Sequence, residues 1–113
     1  MQSVSELING FSRLKVLIIG DLMIDSYTWG KVSRISPEAP VPVVNVIRRE
    51  SRLGGAGNVG LNIASLGATA VIYSVIGDDA PGRELQKIIL DSNLSVEGLI
   101  VEPGRMTTVK ERI

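Results

Sequence analysis

Two stretches of the chain are short apolar runs that end at glycine. Residues 14–19 are almost wholly apolar and lead into Gly20, and residues 70–76 lead into Gly77. Apolar runs of this length, rich in β-branched residues, are typical of strands buried in a parallel sheet. They predict two buried strands, each followed directly by aspartate.

Two further segments carry apolar residues at helical spacing, one before and one after the second strand. The first ends at Gly67, which suits a helix C-terminus, and the second has Pro81 in its first turn. Strands that alternate with helices predict an α/β fold with a doubly wound, mainly parallel sheet. The residues predicted to face the core are Val59, Ile63 and Leu66 in the first helix and Leu85, Ile88 and Ile89 in the second.

Residues 26–52 have a different pattern, rich in turn formers and β-branched residues. Tyr27–Trp29 and Val41–Ile47 predict two strands, and Ser36–Pro40 between them predicts a turn. This is more strand than a loop between a strand and a helix requires. We therefore predict a small β lid that projects from the sheet.

The C-terminal part predicts two more strands, at 96–101 and 106–113, on either side of a turn at Glu102–Arg105. Residues 99–113 are assigned to the same lid. Because the chain stops inside the last predicted strand, we expect it to be part of a longer protein. Residues 1–113 would then form one partial domain.

The composition excludes several kinds of chemistry. The 113 residues include 12 basic and 12 acidic side chains, a balance that gives no electrostatic footprint for nucleic acid or an anionic membrane. Cysteine and histidine are both absent, which excludes disulfides, thiolate metal sites and a histidine base. No stretch approaches the roughly 20 apolar residues of a membrane span. No signal peptide is predicted, and we expect a cytoplasmic protein.

The glycine-rich segment that begins at Gly54 is the most informative candidate site. Gly54, Gly55 and Gly57 let the backbone approach a ligand closely and adopt positive φ. The helix that follows would aim its free N–H groups at that ligand, and Asn58 could bind a polyol or an anion. The alternative is a turn that only lets the helix and sheet pack closely.

The same glycines also match a dinucleotide-binding pattern. Gly55, Gly57 and Gly60 fit G-x-G-x-x-G, and Asp78 follows about twenty residues later, at the end of a strand. That motif needs a buried parallel strand leading directly into the first glycine, and residues 48–53 do not have that character. A dinucleotide-binding module therefore stays as an alternative.

Two carboxylates, Asp21 and Asp25, follow the first strand, where open α/β sheets place their ligands. A carboxylate is a good acceptor for sugar hydroxyls, although aspartate also caps turns. Near the C-terminus, Thr108, Lys110 and Arg112 share one strand face. Lysine and arginine together can clamp a phosphate, and the alternative is a solvated strand face.

The other charged and aromatic residues of the lid are not assigned to a binding site. Arg34 and the 48–52 cluster of charges are interpreted as surface, with phosphate contact as the alternative. Tyr27 and Trp29 are interpreted as packing residues of the lid.

The order of these parts resembles the ribokinase (PfkB-type) carbohydrate kinases. Members have a strand ending in G-D-x-x-x-D, a β lid, G-G-x-x-N opening a helix, and a strand ending in G-D-D. The run S-R-I-S-P-E-A-P-V-P-V at 33–43, with segments 54–59 and 62–68, is similar to the kinase domain of the heptose 7-phosphate kinase/heptose 1-phosphate adenylyltransferase enzymes. The similarity extends from about Leu14 to Ile113.

The resemblance implies a ribokinase-like fold whose lid, including residues 34–40, closes over the sugar. It implies ATP-dependent phosphorylation of the anomeric hydroxyl of D-glycero-D-manno-heptose 7-phosphate, with Mg²⁺ and ATP as cofactors, towards ADP-heptose for lipopolysaccharide. The implied sugar-binding residues are Asp25, Gly54, Gly55 and Asn58, with Lys110 and Arg112 near the sugar phosphate.

The family's G-A-G-D motif, which supplies an anion hole and the catalytic aspartate, does not occur in this sequence. We therefore expect a sugar-binding half that lacks the ATP-binding half, contains neither a catalytic base nor a metal ligand, and is inactive alone. A non-catalytic module that dimerises through the β lid is a further alternative. A homodimer through the lid is also compatible with the kinase hypothesis.

Overall fold

The computed structural model describes every residue from Met1 to Ile113 and contains two three-stranded sheets. β1, β4 and β5 form the parallel sheet, in the order β1-β4-β5. β2, β3 and β6 form what we call the hairpin sheet, in the order β3-β2-β6. The elements are α1 (Val4–Asn9), a 3-10 turn (Gly10–Arg13), β1 (Lys15–Ile19), β2 (Leu22–Ile35), β3 (Pro42–Gly55), α2 (Ala56–Ser65), β4 (Thr69–Gly77), α3 (Ala80–Asp91), β5 (Leu99–Glu102) and β6 (Val109–Arg112).

The predicted apolar strands and the helix after them are confirmed as β1, β4 and α3. The predicted burial of β1 is wrong, because Leu17 and Ile19 are 58% and 85% exposed on the face that α2 and α3 do not cover. β1 and β4 pair in parallel, from Lys15 opposite Thr69 to Ile19 opposite Tyr73. α3 begins at the N-cap Asp79 and, at 12 residues, is the longest helix. None of the helices has the length and apolar character needed to cross a membrane.

The core lies where α2 and α3 pack on one face of the parallel sheet and on the base of the hairpin sheet. Its members come from both sheets, so the core fixes one sheet against the other. The buried cluster consists of Leu22, Ile24, Leu53, Ala56, Ala70, Ile72, Ile76, Leu85, Ile89 and Leu94.

The helix predicted as α2 is confirmed, and of its predicted apolar stripe only Ile63 packs against the core. The prediction is wrong for Val59 and Leu66, which are 46% and 57% exposed. A Cβ atom at Gly60 would lie 2.8 Å from Cδ1 of Ile72, so the helix approaches the sheet too closely for a larger side chain at that position. The buried residues of α2 are instead Ala56, Gly57 and Gly60.

The two lid strands are longer than predicted, with 14 residues in each. Residues 48–53 continue β3 into Gly54 and Gly55, and this strand is antiparallel to β2. Asp25 lies opposite Arg52 across the ladder, and such opposite charges stabilise a strand pair. The polar character of residues 48–53 reflects a strand whose Arg48, Arg49 and Arg52 are exposed and whose first buried residue is Leu53.

The assignment of residues 99–102 to the lid is wrong. β5 pairs in parallel with β4, from Ser74 opposite Leu99 to Gly77 opposite Glu102, and so extends the parallel sheet. The side chain of Leu99 packs against the buried core, which favours this position. Of the 99–113 segment, only β6 joins the hairpin sheet, in parallel with β2.

A hydrogen-bonded clasp holds the segment that leads into β6. The Thr107 hydroxyl donates to Oδ1 of Asp79 at 2.6 Å, and the Thr107 amide donates to Oδ2 at 2.9 Å. The same hydroxyl accepts a hydrogen bond from the amide of Gly77 at 2.9 Å, while Gly82 donates to Asp79. These hydrogen bonds, chiefly those from Thr107, hold the pKa of Asp79 below its ordinary value of 3.8.

We expect Thr107→Val to lower the free energy of unfolding by about 1–3 kcal/mol, because the buried amide of Gly77 loses its acceptor. Denaturant unfolding of the variant and of wild type at pH 7 measures this difference.

The Asp79 carboxylate should contribute fully to the stability of the fold above pH 3.8. This contribution should disappear as the pH falls through the lower pKa that Asp79 has in the folded state. Denaturant unfolding at a series of pH values should therefore show Asp79→Ala less stable than wild type at pH 7. If the difference in free energy of unfolding between wild type and Asp79→Ala did not decrease in acid, this account would be contradicted.

Candidate functional site

One cavity of about 330 Å³ lies between the N-terminal end of α2 and one face of the hairpin sheet. All six residues predicted to bind the sugar or its phosphate lie around it. Asp21, the other aspartate considered, does not line this cavity. The lining residues are Met23, Asp25, Tyr27, Arg52, Leu53, Gly54, Gly55, Asn58, Lys110 and Arg112.

The glycine pair forms the sharp change of direction between β3 and α2. Gly55 has φ +58° and ψ −127°, a conformation that an L-residue rarely adopts. A Cβ atom on Gly55 would collide with the carbonyl oxygen of Asp21, and that oxygen also accepts a hydrogen bond from the amide of Ala56 at 2.8 Å. The turn therefore requires glycine and brings the start of α2 to the cavity.

The first turn of α2 offers polar groups to a ligand. No side chain caps this helix, and the first turn of any helix has backbone N–H groups without partners inside the helix. The helix dipole makes the same end favourable for a negative charge. Asn58 lines the cavity from this turn and adds a side-chain amide that can donate and accept.

Asp25 lies on β2, half-buried, with its carboxylate held by two neighbours. Oδ1 accepts a hydrogen bond from Nε of Arg112 at 3.1 Å, and Oδ2 accepts one from the Tyr27 hydroxyl at 3.3 Å. The parallel register of β2 and β6 explains these contacts, because it places Lys110 opposite Asp25 and Arg112 opposite Tyr27. Each carboxylate oxygen keeps acceptor capacity for a ligand hydroxyl.

Positive charge dominates the cavity. The lining contains three cations, Arg52, Lys110 and Arg112, and one anion, Asp25. Arg52 forms a bidentate pair with Glu50, with distances of 3.0 and 3.2 Å to the two carboxylate oxygens. The hydrogen bond between these side chains lowers the pKa of Glu50 and raises that of Arg52. The cavity therefore combines acceptors suited to hydroxyl groups with donors suited to an anion.

Arg52 and Tyr27 line this cavity although the sequence does not assign them to it. The sequence favours the surface for Arg52, with phosphate contact as the alternative, and packing within the lid for Tyr27, because the position of both residues depends on the register of the hairpin. With β2 and β3 aligned so that Asp25 faces Arg52, both residues fall on the face that carries Gly54. Side chains alternate between the two faces of a strand, so a known register would have identified Arg52 and Tyr27 as residues of the cavity face. Thr108 and Arg34 do not line the cavity.

The glycines of the dinucleotide pattern have a packing role in this fold. Cβ atoms on Gly57 and Gly60 would lie 2.8 Å from side-chain atoms of Leu22 and Ile72, respectively. The strand that reaches Gly55 is antiparallel to its neighbour, whereas the dinucleotide motif requires a parallel one. Asp78 forms an ion pair with Arg83 at 3.5 Å. The geometry therefore does not match that motif.

Comparison with known proteins gives a consistent result. The model of the pfkB family of carbohydrate kinases matches residues 13–112. The chain is 53% identical over 98 residues to "Bifunctional protein HldE" of Aliarcobacter butzleri, covering 87% of this chain and 21% of that protein. It is 47% identical over 110 residues to the protein of the same name from Trichlorobacter lovleyi, covering 97% and 22%. The chain thus spans about a fifth of the length of these curated relatives.

Solved structures of sugar kinases share the fold. A fructokinase from Halothermothrix orenii superposes with a TM-score of 0.62 at 22% identity, covering 87% of this chain and 33% of that one. A fructokinase from Xylella fastidiosa with bound ATP gives a TM-score of 0.60 at 18% identity, covering 86% and 26%. At these identities the likeness establishes the fold, which is that of ribokinase-like sugar kinases.

Proposed function

Because this chain belongs to the PfkB family of carbohydrate kinases, we propose that it is the sugar-binding part of a heptose phosphate kinase. The reaction proposed for the parent protein is ATP-dependent phosphorylation of D-glycero-D-manno-heptose 7-phosphate at its anomeric hydroxyl. This step leads to ADP-heptose for lipopolysaccharide, in the cytoplasm, where ATP is available. The names of the curated relatives support a bifunctional parent, and we propose that it also carries an adenylyltransferase domain.

The observation that carries the proposal is the composition of the cavity at the N-terminal end of α2. Its lining has a net charge of +2, from three cations and one carboxylate. A phosphate monoester carries a charge of about −1.5 to −2 at pH 7, which this lining balances. Arg52 is paired with Glu50 and Arg112 with Asp25, so Lys110 is the lining cation that has no ion-pair partner within the chain. A phosphate would give Lys110 a partner, whereas a neutral sugar would not. The site therefore fits a sugar that already carries a phosphate.

The chemistry of each residue determines which part of the substrate it is proposed to bind. Asp25 accepts from sugar hydroxyls, and Asn58 can both donate and accept. Gly54 and Gly55 let the sugar ring approach the backbone, since neither has a side chain in the way. Lys110 and Arg112 bind the phosphate, the lysine through its compact positive charge and the arginine through the planar donors of its guanidinium.

Phosphoryl transfer itself is not assigned to any residue of this chain. No three Asp, Glu, His or Cys side chains come together in the structure. ATP and Mg²⁺ are proposed as cofactors of the parent enzyme, held mainly by residues outside these 113. We propose that the chain alone binds sugar phosphate and does not turn over ATP.

Isothermal titration of the chain with heptose 7-phosphate, with NAD titrated in parallel, tests the proposal. Saturable binding of the sugar phosphate and none of NAD is expected, with no ADP release in a coupled ATPase assay. Binding of NAD in place of the sugar phosphate would favour the dinucleotide alternative. ADP release by the chain alone would contradict the assignment of the catalytic machinery to the rest of the parent.

A second proposal is that two copies associate through the hairpin sheet. The hairpin makes the molecule elongated, with extents of 68 × 36 × 20 Å. Several apolar residues on its distal half are exposed, which is unusual for a surface without a partner. These residues are Val32, Ile35, Val41, Val46 and Ile47.

Light scattering after size-exclusion chromatography should show a dimer that Val32→Glu with Ile47→Glu converts to a monomer. Burying a charge without a partner is costly, so these changes should oppose contact through the hairpin. Leu17→Glu with Ile19→Glu is the matched control, because these residues are exposed on the parallel sheet. If the control alone dissociated the dimer, the contact would lie on the parallel sheet instead.

A further inference from the structure

The hairpin sheet carries a ladder of aromatic and arginine side chains that leads into the cavity. The rings of Tyr27 and Trp29 are stacked, with centroids 5.8 Å apart and planes inclined by 20°. The Arg48 guanidinium lies 4.0 Å from the centre of the Trp29 ring. The guanidinium of Arg52 lies 4.6 Å from the Tyr27 ring centre, and that of Arg112 lies 5.4 Å from it.

This ladder fixes an arginine that would otherwise be mobile. A free arginine side chain loses about 2 kcal/mol of rotamer entropy when it is immobilised. In Arg52 the head group is already held by two hydrogen bonds from Nε and Nη2 to Glu50, and its plane lies over Tyr27. Nη1 makes no hydrogen bond within the chain, and the side chain lines the cavity. Arg52 is thus preorganised with donors to spare.

The charge of Arg52 adds to that of the two cations on β6. Arg112 uses its Nε atom on Asp25, which leaves its two terminal nitrogens for a ligand. Lys110 forms no ion pair within the chain, so its ammonium also stays available. Two arginines over one ring and a lysine beside them give planar donors from two directions, which suits a tetrahedral phosphate.

Resting on the proposed function above, we propose that Arg52 is a further contact for the sugar phosphate, with Tyr27 and Glu50 as its positioning residues. Arg52 then adds to the preference of the cavity for a phosphorylated sugar over the free one, beside Lys110 and Arg112. The Tyr27 hydroxyl has a separate task, since it holds the Asp25 carboxylate that meets the sugar hydroxyls.

The chain offers a matched control in Arg48. Arg48 lies on the same strand and stacks on an aromatic ring as Arg52 does, and it also pairs with Glu50, at 3.7 Å. It does not line the cavity. Arg48→Ala therefore makes the same change in net charge and the same loss of a stacked guanidinium, away from the proposed contact.

Isothermal titration with heptose 7-phosphate and with unphosphorylated heptose, on folded variants, separates the roles. Arg52→Ala should weaken heptose 7-phosphate binding about tenfold, as expected for one lost charge-assisted hydrogen bond, and should leave heptose binding unchanged. Arg48→Ala should change both by less than about twofold at 0.15 M salt, where screening acts over about 8 Å.

Tyr27 variants test the positioning role by the ratio of the two affinities. Tyr27→Leu should lower the preference for the phosphorylated sugar, because Arg52 and Arg112 lose their ring. Tyr27→Phe keeps the ring, so it should restore that preference and weaken both sugars equally. A merely structural role for Tyr27 would lower both affinities in Tyr27→Leu and leave the ratio unchanged.

The outcomes distinguish this inference from the proposed function. If the folded wild-type chain bound no heptose 7-phosphate, both would fail. If it bound heptose 7-phosphate and Arg52→Ala behaved as Arg48→Ala does, the role of Arg52 would be wrong and the proposed function would stand. If Arg52→Ala weakened both sugars equally, Arg52 would act on the sugar and not on its phosphate.

Discussion

Replacing Gly55 by alanine should destabilise the chain by about 2–5 kcal/mol, because strain and a backbone clash act at the same position. The backbone of Gly55 has φ +58°, where a side chain is strained, and its Cβ atom would meet the Asp21 carbonyl oxygen. That oxygen cannot move away without losing its hydrogen bond from Ala56, which starts α2. The measurement is the free energy of unfolding in urea, at a fixed pH.

Gly67→Ala is the control for this prediction. Gly67 follows the other end of α2, also has a positive φ of +102°, and has no atom within 4 Å of the position of a Cβ. Its replacement should cost only the conformational strain, about 1 kcal/mol. If both variants lost the same stability, the close approach of Gly55 to Asp21 would not exist in solution.

Replacing Asp25 by alanine should weaken heptose 7-phosphate binding about 100-fold, which corresponds to about 3 kcal/mol. The carboxylate is the proposed acceptor for sugar hydroxyls, and its loss also frees Arg112 and the Tyr27 hydroxyl from their partner. Two effects therefore act together. Isothermal titration of wild type and variant at one salt concentration gives the ratio directly.

Asp21→Ala is the matched control, because it removes the other carboxylate of the same sequence motif, G-D-x-x-x-D. Its side chain makes no hydrogen bond or ion pair and does not line the cavity beside α2. The affinity for heptose 7-phosphate should therefore change by less than about twofold, since the charge of the exposed Asp21 carboxylate is screened by salt. Equal losses in both variants would place the sugar elsewhere.

The sequence predicts the local elements better than it predicts their faces. β1, β4 and α3 follow from apolar runs and spacing, because a buried strand or helix imposes its own period on the chain. The stripe in α2 is only partly correct because Gly57 and Gly60 bury their backbones against Leu22 and Ile72. The spacing of large apolar residues does not predict a helix face that packs through glycine.

Long-range pairing explains the other differences. β5 joins the parallel sheet beside Ser74–Gly77 although it is adjacent in sequence to the segment that reaches the hairpin. Nothing in the local pattern of residues 99–102 distinguishes the two sheets. The same holds for Arg52, whose place in the cavity depends on its register opposite Asp25.

The six predicted site residues come from resemblance to a family motif, and the structure brings them to one cavity. Composition and spacing alone left each with an ordinary structural alternative. For Asp25 and Asn58, the shared cavity adds what the sequence lacks, namely proximity across two sheets and a helix. For Gly57, the structure favours the packing alternative.

A titration of the chain with heptose 7-phosphate, followed by amide resonances in two-dimensional ¹H–¹⁵N NMR, tests most directly whether this cavity binds the sugar phosphate. We expect saturable shifts for the amides that surround it, at Asp25, Gly54, Gly55 and Asn58, with little change at the hairpin tip, residues 36–41. Shifts confined to the second cavity, which Asp21 and Arg105 line, or the absence of any shift from a folded chain, would contradict the account.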